Sequence, residues 1–231
     1  GLFVALNTAL LAGAEVTFLQ KFEITEIIEA IRASTLLMGV PTFYTRLLAD
    51  ERLTVHLAKN MRLFISGSAP LLAKTHEEFT RRTGHYILER YGMTETNMIT
   101  SNPYNGERRP GTVGKPLPDV EIKINDPQTG RENANGEIGM IEVRGPNVFK
   151  GYWNMPDKTS LELRKNGYFI TGDLGKLSSD GYLSIVGREK DLIISGGYNV
   201  YPKEIEDVLN ELDKIDETAV FGISDSDFGE R

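Results

Sequence analysis

The 231-residue chain contains no cysteine, one tryptophan and three histidines. Without cysteine there is no disulfide framework, no thiolate metal site and no cysteine nucleophile, and a reducing compartment is permitted. His56, His76 and His85 lack metal-ligand spacing, and no serine occupies a nucleophile elbow, so zinc and serine-hydrolase chemistry are excluded. These histidines read as surface or helix-end residues. No apolar run is long enough to cross a membrane: residues 1–19, the most apolar stretch, are interrupted by Asn7, Thr8, Glu15 and Thr17. That stretch reads as core. Positive charge is also scarce, 26 Lys and Arg against 33 Asp and Glu, and the formal charge of −7 argues against a nucleic-acid or acidic-membrane binder. Any anionic ligand must therefore be met locally. With 40% hydrophobic and 26% charged residues, the composition is that of a globular protein with a real core. The chain starts inside an apolar helical pattern and ends at Asp227-Phe228-Gly229-Glu230-Arg231 without a terminal helix, so it reads as a segment of something longer.

From Leu2 to about Leu88, helix-period stretches alternate with short apolar runs, the pattern of α/β units on a mostly parallel sheet. Ile24, Ile27, Ile28 and Ile31 share one helix face. Leu36 to Val40 and Leu63 to Ser66 read as strands ending at turn residues, and a helix is predicted over Leu71 to Arg82. Beyond Arg109, runs at Val120 to Ile124 and Ile138 to Arg144 between turn-rich segments predict an antiparallel region. Leu174 to Leu177 and Tyr182 to Val186 flank Ser178-Ser179-Asp180-Gly181, a hairpin turn with glycine where a positive φ is wanted. A strand at Leu192 to Ser195 and a helix opening at Pro202 follow.

Four segments have the composition of a ligand site. Ser66-Gly67-Ser68-Ala69-Pro70 joins a strand to a helix and lets a flat ligand or anion approach backbone amides, although a tight turn alone explains it equally well. Tyr91-Gly92-Met93-Thr94-Glu95-Thr96 reads as a loop that gathers an aromatic face, two hydroxyls and a carboxylate. That set suits a nucleotide and Mg²⁺, or, as readily, an exposed threonine-rich surface. Thr171-Gly172-Asp173 follows the strand-like Tyr168-Phe169-Ile170, where an aspartate can accept from both ribose hydroxyls or simply make an Asx-turn. Gly187-Arg188-Glu189-Lys190-Asp191 is either a solvated turn or an arginine reaching sugar or phosphate.

Together with Gly196-Gly197-Tyr198-Asn199-Val200-Tyr201-Pro202, these segments occur in an order that resembles the adenylate-forming superfamily of acyl-CoA synthetases, adenylation domains and luciferases. Arg90-Tyr91-Gly92-Met93-Thr94-Glu95-Thr96-Asn97-Met98 is most similar to the malonyl-CoA synthetases. The resemblance implies that a carboxylate attacks the α-phosphate of ATP and that CoA thiol then displaces AMP. It places the Gly67-Ser68-Ala69-Pro70 backbone, Tyr91 and Gly92 at the adenine, Thr94 at phosphate and Glu95 at Mg²⁺. Asp173 and Arg188 fall at the ribose, and Gly196, Gly197 and Tyr198 on the face that meets CoA. It also implies residues 1–189 as part of a large α/β domain with an antiparallel β subdomain, and residues 190–231 as the start of a small α+β domain. Lys190 is then the hinge, with a role in catalysis. The superfamily's glycine-rich phosphate loop and carboxylate-activating lysine have no counterpart here, so the chain by itself is expected to be inactive.

Arg46, Ser68 and Arg90 are the candidate acid-binding residues, because two guanidiniums facing one small cavity would fit the second carboxylate of malonate; the alternative is that Arg46 is a surface helix residue and Arg90 pairs with Glu89 or another acid. Two alternatives stay open. One is an adenylation domain that passes its product to a carrier-protein thiol, or a synthetase for another acid; the other is a nucleotide-binding relic. A cytoplasmic or organellar-matrix location is expected, with small-molecule partners, no nucleic acid, and an oligomeric state that the residues leave open.

Overall fold

The computed structural model describes residues 2–212, 214–215 and 217–231; Gly1, Asp213 and Asp216 lie outside the described residues. Two compact units emerge, one running to Gly92 and including Asn102–Gly111, the other comprising Met93–Ser101 and Thr112–Arg231.

The first unit begins with a π-helical stretch, Leu2–Asn7, that passes into α1 (Thr8–Leu11). The helix stops before Gly13, whose φ is +67°. Residues 4–19 are not the core expected of them, since Leu11 is 90% and Phe18 79% exposed. Past the glycine, residues 14–19 form neither helix nor strand, so the alternation of Val16 and Phe18 with Glu15 and Thr17 finds no sheet to pack on, and Leu19 is the residue here that packs against the core. The core itself begins with α2 (Ile24–Ala33), where Ile27, Ile28 and Ile31 are buried as the spacing predicts. After β1 (Leu36–Gly39), α3 (Pro41–Leu48) opens on proline, whose fixed φ suits a first turn, and adds Tyr44 and Leu47. The short α4 (Val55–Ala58) is capped by the Thr54 hydroxyl, which accepts from the Leu57 amide at 3.3 Å. Phe64 of β2 (Leu63–Ser66) and Tyr44 both meet Phe79 edge-on, with centroids 4.8 and 5.3 Å apart. Phe79 belongs to α5 (Ala73–Thr83), which starts two residues later than predicted because Leu71 is itself core and Leu72 is extended; Gly84 ends it at φ +76°.

β2 lies between β1 and β3 (Leu88–Met93), all three parallel, with Gly39 opposite Ser66 and Ser66 opposite Glu89. This register sets the end of β2, at Ser66-Gly67, beside the first half of β3, at Glu89-Arg90.

The second unit is antiparallel, as expected. β4 (Asn97–Ser101) pairs with β5 (Lys115–Pro116). β6 (Glu121–Asn125), β7 (Gly139–Arg144), β8 (Phe169–Leu177) and β9 (Leu183–Arg188) form a sheet in sequential order, with α6 (Pro156–Glu162) inserted before β8. Gly181 turns the β8–β9 hairpin at φ +87°. Thr171-Gly172-Asp173 does not follow a strand but lies inside β8. Leu174 pairs with Met140 and Ile170 with Glu142, so the three residues face Ile141 alone as a bulge. Gly172 supplies φ +75°, and the Thr171 hydroxyl donates to the Ile141 carbonyl at 2.9 Å while accepting from the Asp173 amide at 3.1 Å. A 3₁₀ turn, Glu189–Asp191, leads to β10 (Ile193–Ser195) and β11 (Tyr198–Val200). Next come α7 (Pro202–Asn210), opening on proline as expected, β12 (Ser224–Asp225) and β13 (Gly229–Glu230).

Candidate functional site

In the first unit the strand ends of β2 and β3 carry the candidate residues. Gly67 is buried while Ser68, Ala69 and Pro70 are exposed, and Ser68 takes a left-handed φ of +72° to turn the chain outward. Gly67 is favoured by close approach, because a Cβ there would lie 3.3 Å from the Arg90 carbonyl oxygen and 3.4 Å from Arg90 Cγ, and one of them would have to shift. Arg90 is thus packed under the loop, half-buried, and burial lowers its pKa. Beneath it Tyr44 is fully buried and donates to the Ile65 carbonyl at 2.6 Å; desolvation drives its hydroxyl pKa far up. Ser66 Oγ is buried and has no hydrogen-bond partner among the described residues.

Two expectations change here. Residues 91–96 are not one loop: Tyr91 and Gly92 belong to β3 and Tyr91 is buried, which leaves Thr94-Glu95-Thr96 as the turn. His76 is not a surface residue. It is fully buried, accepts from the Ile87 amide on Nε2 at 3.1 Å, and therefore donates from Nδ1 to the Glu89 carboxylate at 2.9 Å. Arg46 is exposed in the last turn of α3, its guanidinium 5.4 Å over the Phe22 ring.

In the second unit, Thr94 is exposed and Glu95 half-buried on the turn preceding β4. Residues 147–152 grip this turn. Asn147 Nδ2 donates to the Thr96 and Met98 carbonyls at 2.8 and 3.0 Å, and the Phe149 amide donates to the Glu95 carbonyl at 2.8 Å. The Tyr152 hydroxyl contacts Glu95 Oε1 at 3.1 Å and Glu162 Oε2 at 2.6 Å. Burial first, then the two carboxylates, raises the Tyr152 pKa far above its usual value. The sequence reading missed Asn147, Tyr152 and Glu162; the visible signal was the aromatic pair Tyr152-Trp153 after Gly151.

Asp173 and Arg188 are cross-strand partners, with Nε 3.3 Å from Oδ1. The aspartate side chain is 12% exposed and the arginine 62%, so the pair has a dry and a wet end. Lys190 sits exposed in the middle of the 3₁₀ turn. Gly196 and Gly197, both at positive φ, turn β10 into β11 and present Tyr198, 78% exposed.

No cluster of three or more acidic, histidine or cysteine side chains suited to a metal occurs among the described residues. One carboxylate and one neighbouring hydroxyl, Glu95 and Thr94, fit Mg²⁺ arriving with phosphates and waters rather than a protein-only cage. No described helix is long and apolar enough to cross a membrane.

These are features of an adenylate-forming α/β scaffold, and residues 1–153 match the family of AMP-binding enzymes. The chain belongs to that family, as the motif order implied. It is 41% identical over 251 residues to a malonate–CoA ligase of Arabidopsis thaliana, which it matches along its whole length and over 41% of that protein. It is 38% identical over 233 residues to a long-chain-fatty-acid–CoA ligase of Bacillus subtilis, again along its whole length and over 41% of the relative. Among solved structures, ATP-bound MatB from Rhodopseudomonas palustris is 59% identical with a TM-score of 0.97, covering all of this chain and 46% of that one. The chain thus spans about two fifths of the length of these curated relatives.

Proposed function

We propose that the chain is part of an AMP-forming acid–CoA ligase whose acid is malonate or a similarly small dicarboxylate. The carboxylate attacks the α-phosphate of ATP with loss of pyrophosphate, and CoA thiol then displaces AMP from the acyl-adenylate. In this reading Gly67-Ser68-Ala69-Pro70, Tyr91 and Gly92 hold the adenine, and Thr94 meets phosphate. Glu95 would hold Mg²⁺, whose contribution when bound is to neutralise phosphate charge. The Asp173–Arg188 pair supports the ribose assignment: Arg188 orients the carboxylate while its own wet end reaches outward. Lys190, on an exposed single turn, serves as the hinge between residues 1–189 and 190–231, and Gly196, Gly197 and Tyr198 face CoA.

The observation that carries the dicarboxylate reading is Arg90, whose stem is pressed against Gly67 and whose charge is half out of water. A guanidinium in such a place disfavours an alkyl chain and favours a distal carboxylate. Ser68 would add a neutral donor, and Arg46 a second cation on release from Phe22. Identity alone does not select malonate, since the malonate and long-chain relatives score almost alike. The test is Arg90→Gly in an intact protein carrying this sequence. Malonate activation, read as acid-dependent pyrophosphate exchange, should drop at least about a hundredfold, the equivalent of roughly 2.7 kcal/mol, with butyrate activation kept or improved. Parallel loss on both acids would make Arg90 structural. Thioester formation with free CoA separates a ligase from a domain that serves a carrier thiol, and absence of exchange with every acid would leave a nucleotide-binding relic.

A further inference from the structure

Glu95 is the carboxylate on which the metal reading rests, yet by itself it is a flexible side chain on a turn. The surrounding hydrogen bonds remove that freedom. Phe149 and Asn147 fix the backbone at Glu95 and just beyond it, at Thr96 and Met98, and Tyr152, 57 residues away in sequence, meets Oε1. Oε2 accepts no hydrogen bond among the described residues. The Tyr152 hydroxyl has one hydrogen, which two carboxylate acceptors share as a three-centre bond, and the shorter contact, to Glu162, also fixes the phenol. The ring is further held by Phe149 edge-on at 4.8 Å and by Lys158 Nζ at 4.2 Å from its centroid.

We propose that Tyr152, anchored by Glu162, is a positioning residue that holds Oε1 of Glu95 so that Oε2 is presented to a divalent cation. A ligand oxygen whose rotamer is already fixed loses less freedom on binding, which is how groups behind a metal ligand set its affinity. The anchor reaches Glu95 from the Gly151-Tyr152-Trp153 segment and, through Glu162, from α6. This inference rests on the assignment of Glu95 to the metal, and the experiment separates the two.

Mn²⁺ binding to the intact protein is measured by electron paramagnetic resonance with a non-hydrolysable ATP analogue present, for wild type, Tyr152→Phe and Glu95→Gln. Tyr152→Phe keeps the ring and loses the hydroxyl; it should weaken bound Mn²⁺ by about tenfold while metal-free analogue binding stays as in wild type. Glu95→Gln should abolish the bound signal. If Glu95→Gln does so and Tyr152→Phe binds Mn²⁺ like wild type, the positioning role is overturned and the metal assignment stands. If Glu95→Gln retains wild-type binding, both fall. Should Tyr152→Phe fail to fold, Glu162→Gln replaces it: the new amide donates to the phenol oxygen and hands the whole hydrogen to Glu95 Oε1. Tighter Mn²⁺ binding there supports the proposal, and unchanged or weaker binding overturns it.

Discussion

At their candidate residues the two units differ: the first sets Glu89 and Arg90 against a dry core, whereas the second places Arg188 on a wet rim. Arg90 is half-buried against Gly67, with fully buried Tyr44 beneath it, and the neighbouring Glu89 is paired with a histidine that water does not reach. Arg188, by contrast, is 62% exposed even though its partner Asp173 is largely enclosed. The difference lies in the cost of a vacancy. A buried polar group that loses a partner bears its full desolvation cost, while an exposed ion pair is replaced by water. Stability and ligand affinity should therefore be entangled in the first unit and separable in the second.

The largest effect is expected at His76. Its ring fills a fully buried position, donates to Glu89 and accepts from Ile87, so His76→Ala removes volume and two hydrogen bonds together. A loss of roughly 3 kcal/mol or more is expected in urea unfolding of the intact protein. Because Glu89 adjoins Arg90 on β3, the acid-dependent exchange should fall along with it. A change under about 1 kcal/mol would show that the first unit tolerates vacancies as the second does, and the contrast would be gone.

Arg188→Ala probes the wet side. The lost exposed pair should cost at most about 1 kcal/mol of stability. If Arg188 helps to hold the ribose, however, losing a charge-assisted hydrogen bond should weaken ATP by about tenfold. Calorimetric titration beside an unfolding curve distinguishes these. A large stability loss with ATP affinity intact would make the pair structural and remove Asp173 and Arg188 from the nucleotide site.

The same physics decided what the sequence revealed. Ile27, Ile28 and Ile31 were legible because a buried helix face repeats in sequence, and Pro41, Pro202 and Gly181 because their backbone preferences are local. The motif residues around Gly67, Tyr91 and Asp173 were legible by order and type, yet their settings were not. The strand was expected to end before Thr171, but a bulge at Gly172 carries it through, and that depends on the opposing Ile141. His76 and Glu89, 13 residues apart, meet only once α5 packs on the sheet. Tyr152 and Glu95 are 57 apart with no periodic pattern linking them. In residues 4–19 apolar composition does not amount to burial, because beyond Gly13 the chain joins neither a helix nor a sheet that could pack an apolar face.

The smallest effect asks whether behaviour follows the unit or follows the water. Asp50 belongs to the first unit but lies at its surface, where its carboxylate accepts from the Arg52 side chain at 2.7–3.2 Å and from the Arg52 amide at 2.9 Å. The Arg52 side-chain hydrogen bonds chiefly, then the amide, lower the Asp50 pKa to about 2. A carboxylate with a folded pKa below its unfolded value of about 3.9 stabilises the fold above that value and loses the benefit as pH falls through the folded one. Asp50→Asn preserves an oxygen for the Arg52 amide and removes only the charge. The urea midpoints of wild type and Asp50→Asn should thus differ slightly at pH 5 and converge as pH approaches 2, with added salt shrinking the gap. A gap that persists unchanged to low pH would mean that the ionised carboxylate contributes nothing. A gap as large as the one at His76 would tie vulnerability to the first unit itself rather than to exclusion of water.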